Sequence, residues 1–153
     1  MARWKIKNVG MKGVAMAVPE NVVKTSDFDF FSQEEAEVFD NTVGIRKRHI
    51  APDNMCASDM CQAAAEKLLE ELGWERDSID VLLFESVTGD YRTPPTSCIL
   101  QDRLALSENC FCMDIPMGCC GCMYAITVAG NLLTTGNVKR ALLLIGDTAL
   151  RMG

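Results

Sequence analysis

The chain has 153 residues, of which 48% are hydrophobic, and its formal net charge at pH 7 is −6. This length and apolar content suffice for one buried core, so the composition indicates a single domain. The longest basic run covers only residues 46–48, which excludes the electrostatic footprint of a protein that binds nucleic acid or an anionic membrane surface. No apolar run approaches about 20 residues and residues 1–7 lack a signal-peptide core, so we expect a cytoplasmic protein. Most of its eight cysteines should then be reduced thiols.

The first third of the chain predicts one strand, one short helix and one loop. Residues 4–18 carry spaced apolar side chains interrupted by two glycines, which is typical of a kinked strand. Ser32 is followed three residues later by Glu35, a capping-box pattern that predicts a helix over residues 32–39. Residues 42–54 show no sustained period and are predicted to form a loop.

The rest of the chain alternates between helices and strands. Ser58 is predicted to cap a helix over residues 59–72, with Gly73 as its C-terminal stop. A buried strand, a helix that begins at a proline, a second strand, a long helix and a last strand are predicted next, over residues 80–87, 95–106, 110–115, 119–133 and 141–146. This alternation implies a largely parallel sheet covered by helices, with sites at the carboxyl ends of its strands.

One of these strand ends carries a cysteine in a glycine-rich corner. Residues 114–126 have the sequence DIPMGCCGCMYAI, and Cys119 lies where the predicted strand becomes the predicted helix. Only a thiolate is nucleophilic, and the partial positive charge of a helix N-terminus lowers a thiol pKa. Gly118 and Gly121 remove side-chain bulk, so a substrate carbonyl and backbone N–H groups can approach closely, as acyl transfer requires. Cys119 is therefore a candidate nucleophile.

Neighbouring thiols leave other interpretations open. Cys120 and Cys122 compete with Cys119 for this role, and most free cysteines are simply small buried residues. Cys119 and Cys122 also form a Cys-x-x-Cys pair, which with Cys110 and Cys112 makes a zinc or iron–sulfur site an alternative. Structural zinc sites usually combine two such pairs across a longer spacer, and Cys110 and Cys112 fit the packing of a buried strand better. We therefore predict no metal.

Four segments, in the same order, resemble the β-ketoacyl-acyl carrier protein synthase III family of the thiolase superfamily. They are the nucleophile segment 114–126, the stretch GIRKRHIA at 44–51, the turn TGDYRTPPTSC at 88–98 and the strand KRALLLIGD at 139–147. The resemblance covers essentially the whole chain and places the nucleophile at Cys119. It implies an α/β, thiolase-like fold with a parallel-rich mixed sheet, of which residues 1–153 form the N-terminal half and the C-terminal half is absent.

The resemblance also implies a condensing acyltransferase of fatty-acid or related polyketide synthesis. Cys119 would attack an acyl thioester delivered by coenzyme A or an acyl carrier protein, and malonyl-carrier protein would decarboxylate and attack the acyl-enzyme to give a 3-oxoacyl-carrier protein. The Cys119 N–H would be one oxyanion donor. His49 is the only histidine and the available base, but the family takes its partner His and Asn from the second half. The resemblance thus implies an inactive isolated chain, a homodimer and no cofactor.

Three positions depart from the family pattern and are predicted to contact substrate. Ungapped counting from Gly44 places Val38 where the family often has a Trp that stacks on the adenine of coenzyme A, and Thr42 where it has an Arg. Both changes weaken the case for acetyl-coenzyme A and favour a carrier-bound acyl group or another posture of the coenzyme. Thr93 replaces a Phe that limits the acyl pocket, so a longer or branched acyl chain is expected.

Three alternative functions remain at this point. The chain resembles, more distantly, other condensing enzymes of the hydroxymethylglutaryl-coenzyme A synthase or chalcone synthase kind. A non-catalytic ketosynthase partner subunit is a second alternative, although such a subunit has no use for Cys119. A cysteine-rich metal-binding module is the third.

Overall fold

The computed structural model describes residues 5–149. In this range the helices and strands follow in the order β1 (Val22–Lys24), α1 (Gln33–Val43), β2 (Lys47–His49), α2 (Ala57–Leu72), β3 (Val81–Glu85), α3 (Thr96–Arg103), β4 (Phe111–Ile115), α4 (Gly121–Leu132) and β5 (Ala141–Ile145). None of the helices described here is long and apolar enough to span a bilayer.

A parallel sheet with the strand order β4-β3-β5 forms the centre of the described part of the chain. Glu85, Ile115 and Ile145 are in register, so the three strands end level with one another. Every residue of β3 is buried, which is typical of a parallel strand covered on both faces. The predicted parallel sheet is therefore confirmed.

Alternate side chains of β3 enter two separate cores. Leu82 and Phe84 pack with α2 and α3 on one face of the sheet, whereas Val81 and Leu83 pack with α4 on the other. Complete burial of a side chain of this size stabilises the fold by roughly 1.5–3 kcal/mol. The result is a helix–sheet–helix arrangement in which the carboxyl end of β3 lies centrally beneath the β4–α4 corner.

The α1 helix begins where the sequence predicted, at the Ser32 cap, and extends beyond the predicted end at residue 39. The backbone N–H of Glu35 donates to Ser32 Oγ at 3.2 Å, and the N–H of Ser32 donates to Glu35 Oε2 at 2.9 Å, which completes the capping box. The helix continues to Val43 and ends at Gly44, whose φ of 79° is left-handed. The predicted loop over 42–54 was wrong in part, since it also contains β2, which pairs antiparallel with β1.

The start of α2 corrects a second prediction. Cys56 is the N-cap, and its backbone N–H donates to Asp59 Oδ2 at 2.7 Å. Ser58 is buried inside the first turn and donates its hydroxyl hydrogen to Asp90 Oδ2 at 2.6 Å, so it is not available as a cap. Gly73 ends the helix with φ 60°, as predicted. The later elements agree with prediction to within three residues at each end.

The prediction of a first strand over residues 4–18 was wrong for residues 5–18. Trp4 lies outside the described residues. Residues 5–18 form no strand, although Ile6 packs against Gly130 of α4 and Gly13 packs against Leu68 of α2. A cavity of about 1290 Å³ lies between residues 8–19 and β5, with α2 and α4 as its other walls. The apolar spacing is typical of a strand, but a strand also needs a neighbouring strand to pair with, and residues 5–18 join neither of the described sheets.

Candidate active site

The corner between β4 and α4 presents Cys119 at the carboxyl edge of the sheet. A 3₁₀ turn covers Gly118–Cys120, and α4 begins at Gly121. Gly118 has φ 62°, a left-handed conformation that disfavours any side chain, so the backbone can reverse direction there. The Cys119 side chain is exposed. A substrate can therefore reach a thiol that lies next to the N-terminus of a helix.

The two neighbouring thiols have different environments. Cys120 is also exposed, and its thiol lies 3.4 Å from the carbonyl oxygen of Met117, to which it can donate. Cys122 is half-buried and lines the cavity beside β5. Cys119 and Cys120 are therefore the accessible pair at this corner.

Three other thiols are unsuited to nucleophilic attack. Burial raises the pKa of Cys61 to about 12, with smaller contributions from Asp147 and Asp90. Burial also raises the pKa of Cys112 to about 12 and raises that of Cys110. These thiols therefore stay protonated near neutral pH. Among residues 5–149, no group of three or more His, Cys, Asp or Glu side chains is arranged to hold a metal ion.

A buried carboxyl lies beneath the corner. Glu85 is the last residue of β3 and is 3% exposed, and its side chain packs against the α-carbon of Gly121, where a Cβ would overlap Oε1. Burial raises the pKa of Glu85 and Asp147 adds to the rise, while the backbone N–H groups of Gly118 and Met117 act in the opposite direction. Gly121 is therefore required by Glu85, whereas the sequence analysis assigned it to substrate approach.

Asp147 fixes the loop that follows β3. Its Oδ1 accepts hydrogen bonds from the backbone N–H groups of Val87 and Thr88, at 2.8 and 3.1 Å, and from the hydroxyls of Ser86 and Thr88, at 2.8 and 3.0 Å. The N–H of Thr148 donates to Thr88 Oγ1 at 2.9 Å. The ends of β3 and β5 are thereby joined on the same side of the sheet as Cys119.

The acidic residue of the nucleophile segment is a helix cap. Asp114 accepts hydrogen bonds from the backbone N–H groups of Thr96 and Ser97, both at 2.8 Å. A carboxylate is stabilised at this position because the first N–H groups of a helix have no intrahelical partner and carry positive charge. Asp114 thus positions the start of α3, and with it the loop that carries Thr93, relative to β4.

The predicted substrate residues lie on two different elements. Val38 is 61% exposed on α1, and Thr42 lies one turn later, where its hydroxyl donates to the Val38 carbonyl oxygen at 2.7 Å. Thr93 is exposed in the loop before α3 and precedes Pro94 through a cis peptide bond. The structure therefore brings Val38 and Thr42 together and places Thr93 on a separate segment.

The single histidine lies away from hydrogen-bonding contact with the nucleophile. His49 is exposed on β2, and its Nδ1 lies 2.5 Å from the carbonyl oxygen of Pro19. Within the part of the chain that the structure describes, no hydrogen bond joins His49 to Cys119. The arrangement gives no support to His49 as the base for this thiol.

Solved structures share this sheet and corner. A 3-oxoacyl-(acyl-carrier protein) synthase from Burkholderia xenovorans LB400 matches with a TM-score of 0.84 and 38% identity, over 91% of this chain and 41% of that one. A tetronic acid condensing enzyme matches with a TM-score of 0.79 and 25% identity, over 92% and 44% of the two chains. The fold is therefore that of the thiolase-like condensing enzymes.

Sequence relatives define the family more narrowly. The β-ketoacyl-[acyl-carrier-protein] synthase III of Clostridium perfringens (strain ATCC 13124) is 32% identical over 143 residues, and that of Geobacillus kaustophilus (strain HTA426) is 35% identical over 138 residues. These matches cover 94% and 90% of this chain, which spans 44% of the length of each relative. No protein-family model matches the chain. The chain belongs to the β-ketoacyl-acyl carrier protein synthase III family.

Proposed function

We propose that the protein is a condensing acyltransferase that uses Cys119 as its nucleophile and forms a 3-oxoacyl-carrier protein. The observation that supports this best is the exposed thiol at the β4–α4 corner, at the level carboxyl ends of a parallel sheet. Sites of α/β proteins lie at such strand ends. The names of the relatives support the same reaction class.

The proposed reaction has two stages. Cys119 Sγ attacks the carbonyl carbon of an acyl thioester, and the thiolate of coenzyme A or of the carrier protein leaves. Malonyl-carrier protein then loses carbon dioxide, and the resulting carbanion attacks the acyl-cysteine carbonyl, which releases the Cys119 thiolate and the 3-oxoacyl product. The backbone N–H of Cys119 is the oxyanion donor that this corner supplies.

Substrate selection depends on α1 and on the loop before α3. The exposed, apolar Val38 and the neighbouring Thr42 contact the acyl donor, which favours a carrier-bound acyl group. Thr93 leaves space for a longer or branched acyl chain. A profile of acyl-chain lengths tests this point, since a maximum at acetyl would contradict it.

The protein works as a cytoplasmic homodimer joined partly through residues 88–98. Tyr91 in this segment is 66% exposed, and Met123 and Tyr124 of α4 are 64% and 53% exposed. These large exposed side chains support the proposed interface. All eight cysteines are free thiols, as a reducing compartment requires.

Mass spectrometry of covalent adducts tests the function directly. The purified protein is incubated with a panel of acyl-coenzyme A and acyl-carrier donors, and its peptides are then analysed. We expect an acyl adduct on the peptide that carries Cys119, absent in Cys119→Ala and retained in Cys120→Ala. No adduct with any donor, or an adduct that persists in Cys119→Ala, would contradict the proposal.

A further inference from the structure

The carboxyl end of β3, the nucleophile corner and the first turn of α4 all meet at Glu85. We propose that Glu85 is a positioning residue that fixes the Cys119 corner by packing its side chain against the α-carbon of Gly121, in the first turn of α4. This inference rests on the proposed function, because it concerns the placement of the thiol assigned to acyl transfer. It assigns a role to a side chain that does not itself contact substrate.

Glu85 lies where burial of a carboxyl destabilises the fold unless its oxygens accept hydrogen bonds. The rest of β3 is apolar, Glu85 is 3% exposed, and its Oε1 has no hydrogen-bond partner among residues 5–149. Burial of a polar group without full compensation destabilises a fold. An apolar side chain would suit this position better if packing were its only purpose. The carboxyl lies instead beneath the nucleophile corner, against the α-carbon of Gly121.

The contact with Gly121 is equally specific. A Cβ at position 121 would overlap the Cγ, Cδ and Oε1 atoms of Glu85, which form the end of a buried side chain. The first turn of α4 therefore packs directly on the Glu85 side chain. Because Cys119 lies two residues before Gly121, the contact fixes the position of the helix N-terminus relative to the thiol.

The first test measures how fast iodoacetamide alkylates Cys119. Glu85→Gln keeps a side chain of the same length against Gly121, so its rate should stay within about two-fold of wild type. Glu85→Ala removes the atoms that pack beneath the corner, so its rate should be slower by about five-fold or more. Exposed Cys98 on α3 is the internal control and should keep its rate in both variants. An unchanged Cys119 rate in Glu85→Ala would overturn the proposal.

The second test measures the coupling between Glu85 and Gly121. Gly121→Ala should lower Tm by about 5 °C in the wild type, as expected for an overpacked site, and by less than about 2 °C in the Glu85→Ala background, where the overlapping atoms are gone. Gly10→Ala is the matched control, because an added Cβ there meets no atom within 4 Å. An equal loss of Tm in both backgrounds would contradict the contact.

Failure of this inference can be told apart from failure of the proposed function. Iodoacetamide needs no acyl donor, so the alkylation rates report on the position of the thiol alone. A slow Glu85→Ala variant in a protein that forms no acyl adduct would support the positioning role and contradict the acyltransferase. A normal alkylation rate in Glu85→Ala together with an acyl adduct on Cys119 would contradict the positioning role and support the acyltransferase.

Discussion

Five of the eight thiols fall into two groups of different reactivity. Cys98, Cys119 and Cys120 are exposed, whereas burial raises the pKa of Cys61 and of Cys112 to about 12. Brief treatment with iodoacetamide near neutral pH should therefore label the three exposed residues and spare the two others until the protein is unfolded. Peptide mass spectrometry measures the pattern. Labelling of Cys61 in the native protein at the rate of Cys98 would contradict the fold.

The buried carboxyl of Glu85 makes the stability depend on pH. Its pKa is raised in the folded protein, mainly by burial and also by Asp147, so its contribution to stability is complete below the ordinary value of 4.5 and is lost as pH rises through the raised value. Glu85→Gln does not ionise. We therefore expect the Tm of this variant, relative to wild type, to increase from acidic to neutral pH.

Thermal unfolding at several pH values measures this difference. Glu108→Gln, a change at an exposed position, is the control and should show no such trend. A difference between Glu85→Gln and wild type that stays constant with pH would show that Glu85 is not buried as described.

Residues differ in how far the sequence reveals their roles. The position of Cys119 at a strand–helix corner was predictable because a strand, a glycine corner and a helix follow one another within a few positions. Glu85 was not, because a single acid at the end of an apolar run is also typical of an ordinary strand end. Only the parallel register places Glu85 beneath Gly121, 36 positions later in the chain. Asp114 was recognised as part of a motif, but its capping of α3 needed the tertiary structure.

Among the elements, helix ends that depend on neighbouring residues were predicted well. Helix ends and strands that depend on partners distant in the sequence were not. The Ser32–Glu35 box and the Gly73 stop involve neighbours within a few residues, and both are confirmed. The cap of α2 was misplaced because Ser58 bonds to Asp90, which is 32 residues away. The first strand was wrong because its ladder depends on a neighbour that the pattern of one segment does not specify.

A side-chain clamp joins the starts of β3 and β5. Asp80 Oδ2 accepts hydrogen bonds from the backbone N–H groups of Lys139 at 2.7 Å and Arg140 at 3.0 Å, and these two bonds lower the pKa of Asp80. Asp80→Ala leaves both N–H groups without this partner, so we expect a loss of about 1–2 kcal/mol in the free energy of unfolding. Asp80→Asn keeps one oxygen and should lose less. Urea unfolding measures both variants.

The contribution of Asp80 to the free energy of unfolding depends on pH. Because the folded pKa of Asp80 is lowered, its contribution is present above the ordinary value of 3.8 and is lost as pH falls through the folded value. The difference between wild type and Asp80→Asn should therefore shrink in acid. Equal stability of wild type and Asp80→Ala at neutral pH would contradict the clamp.

At the scale of the whole molecule, stability should decrease outward from β3. This strand lies between two cores and is 0–3% exposed, whereas residues 8–18 form no strand and face a large cavity. We expect the amides of β3 to show the slowest hydrogen exchange and those of residues 8–18 to be among the fastest. Exchange followed by mass spectrometry or NMR tests this order. Equal protection of the two segments would mean that residues 8–18 are joined to a sheet.

The cavity beside β5 has a consequence for how this chain behaves in a test tube. In the described sheet β5 is an edge strand, its sequence ALLLI carries no charge, and Ile145 is 44% exposed. Such an edge offers unpaired backbone groups to another molecule, so concentrated samples should self-associate by intermolecular strand pairing. Ile145→Lys should suppress the resulting light scattering, whereas Val38→Lys, which adds the same charge to a helix, should not. The free edge of this sheet would then limit the concentration at which the protein can be handled.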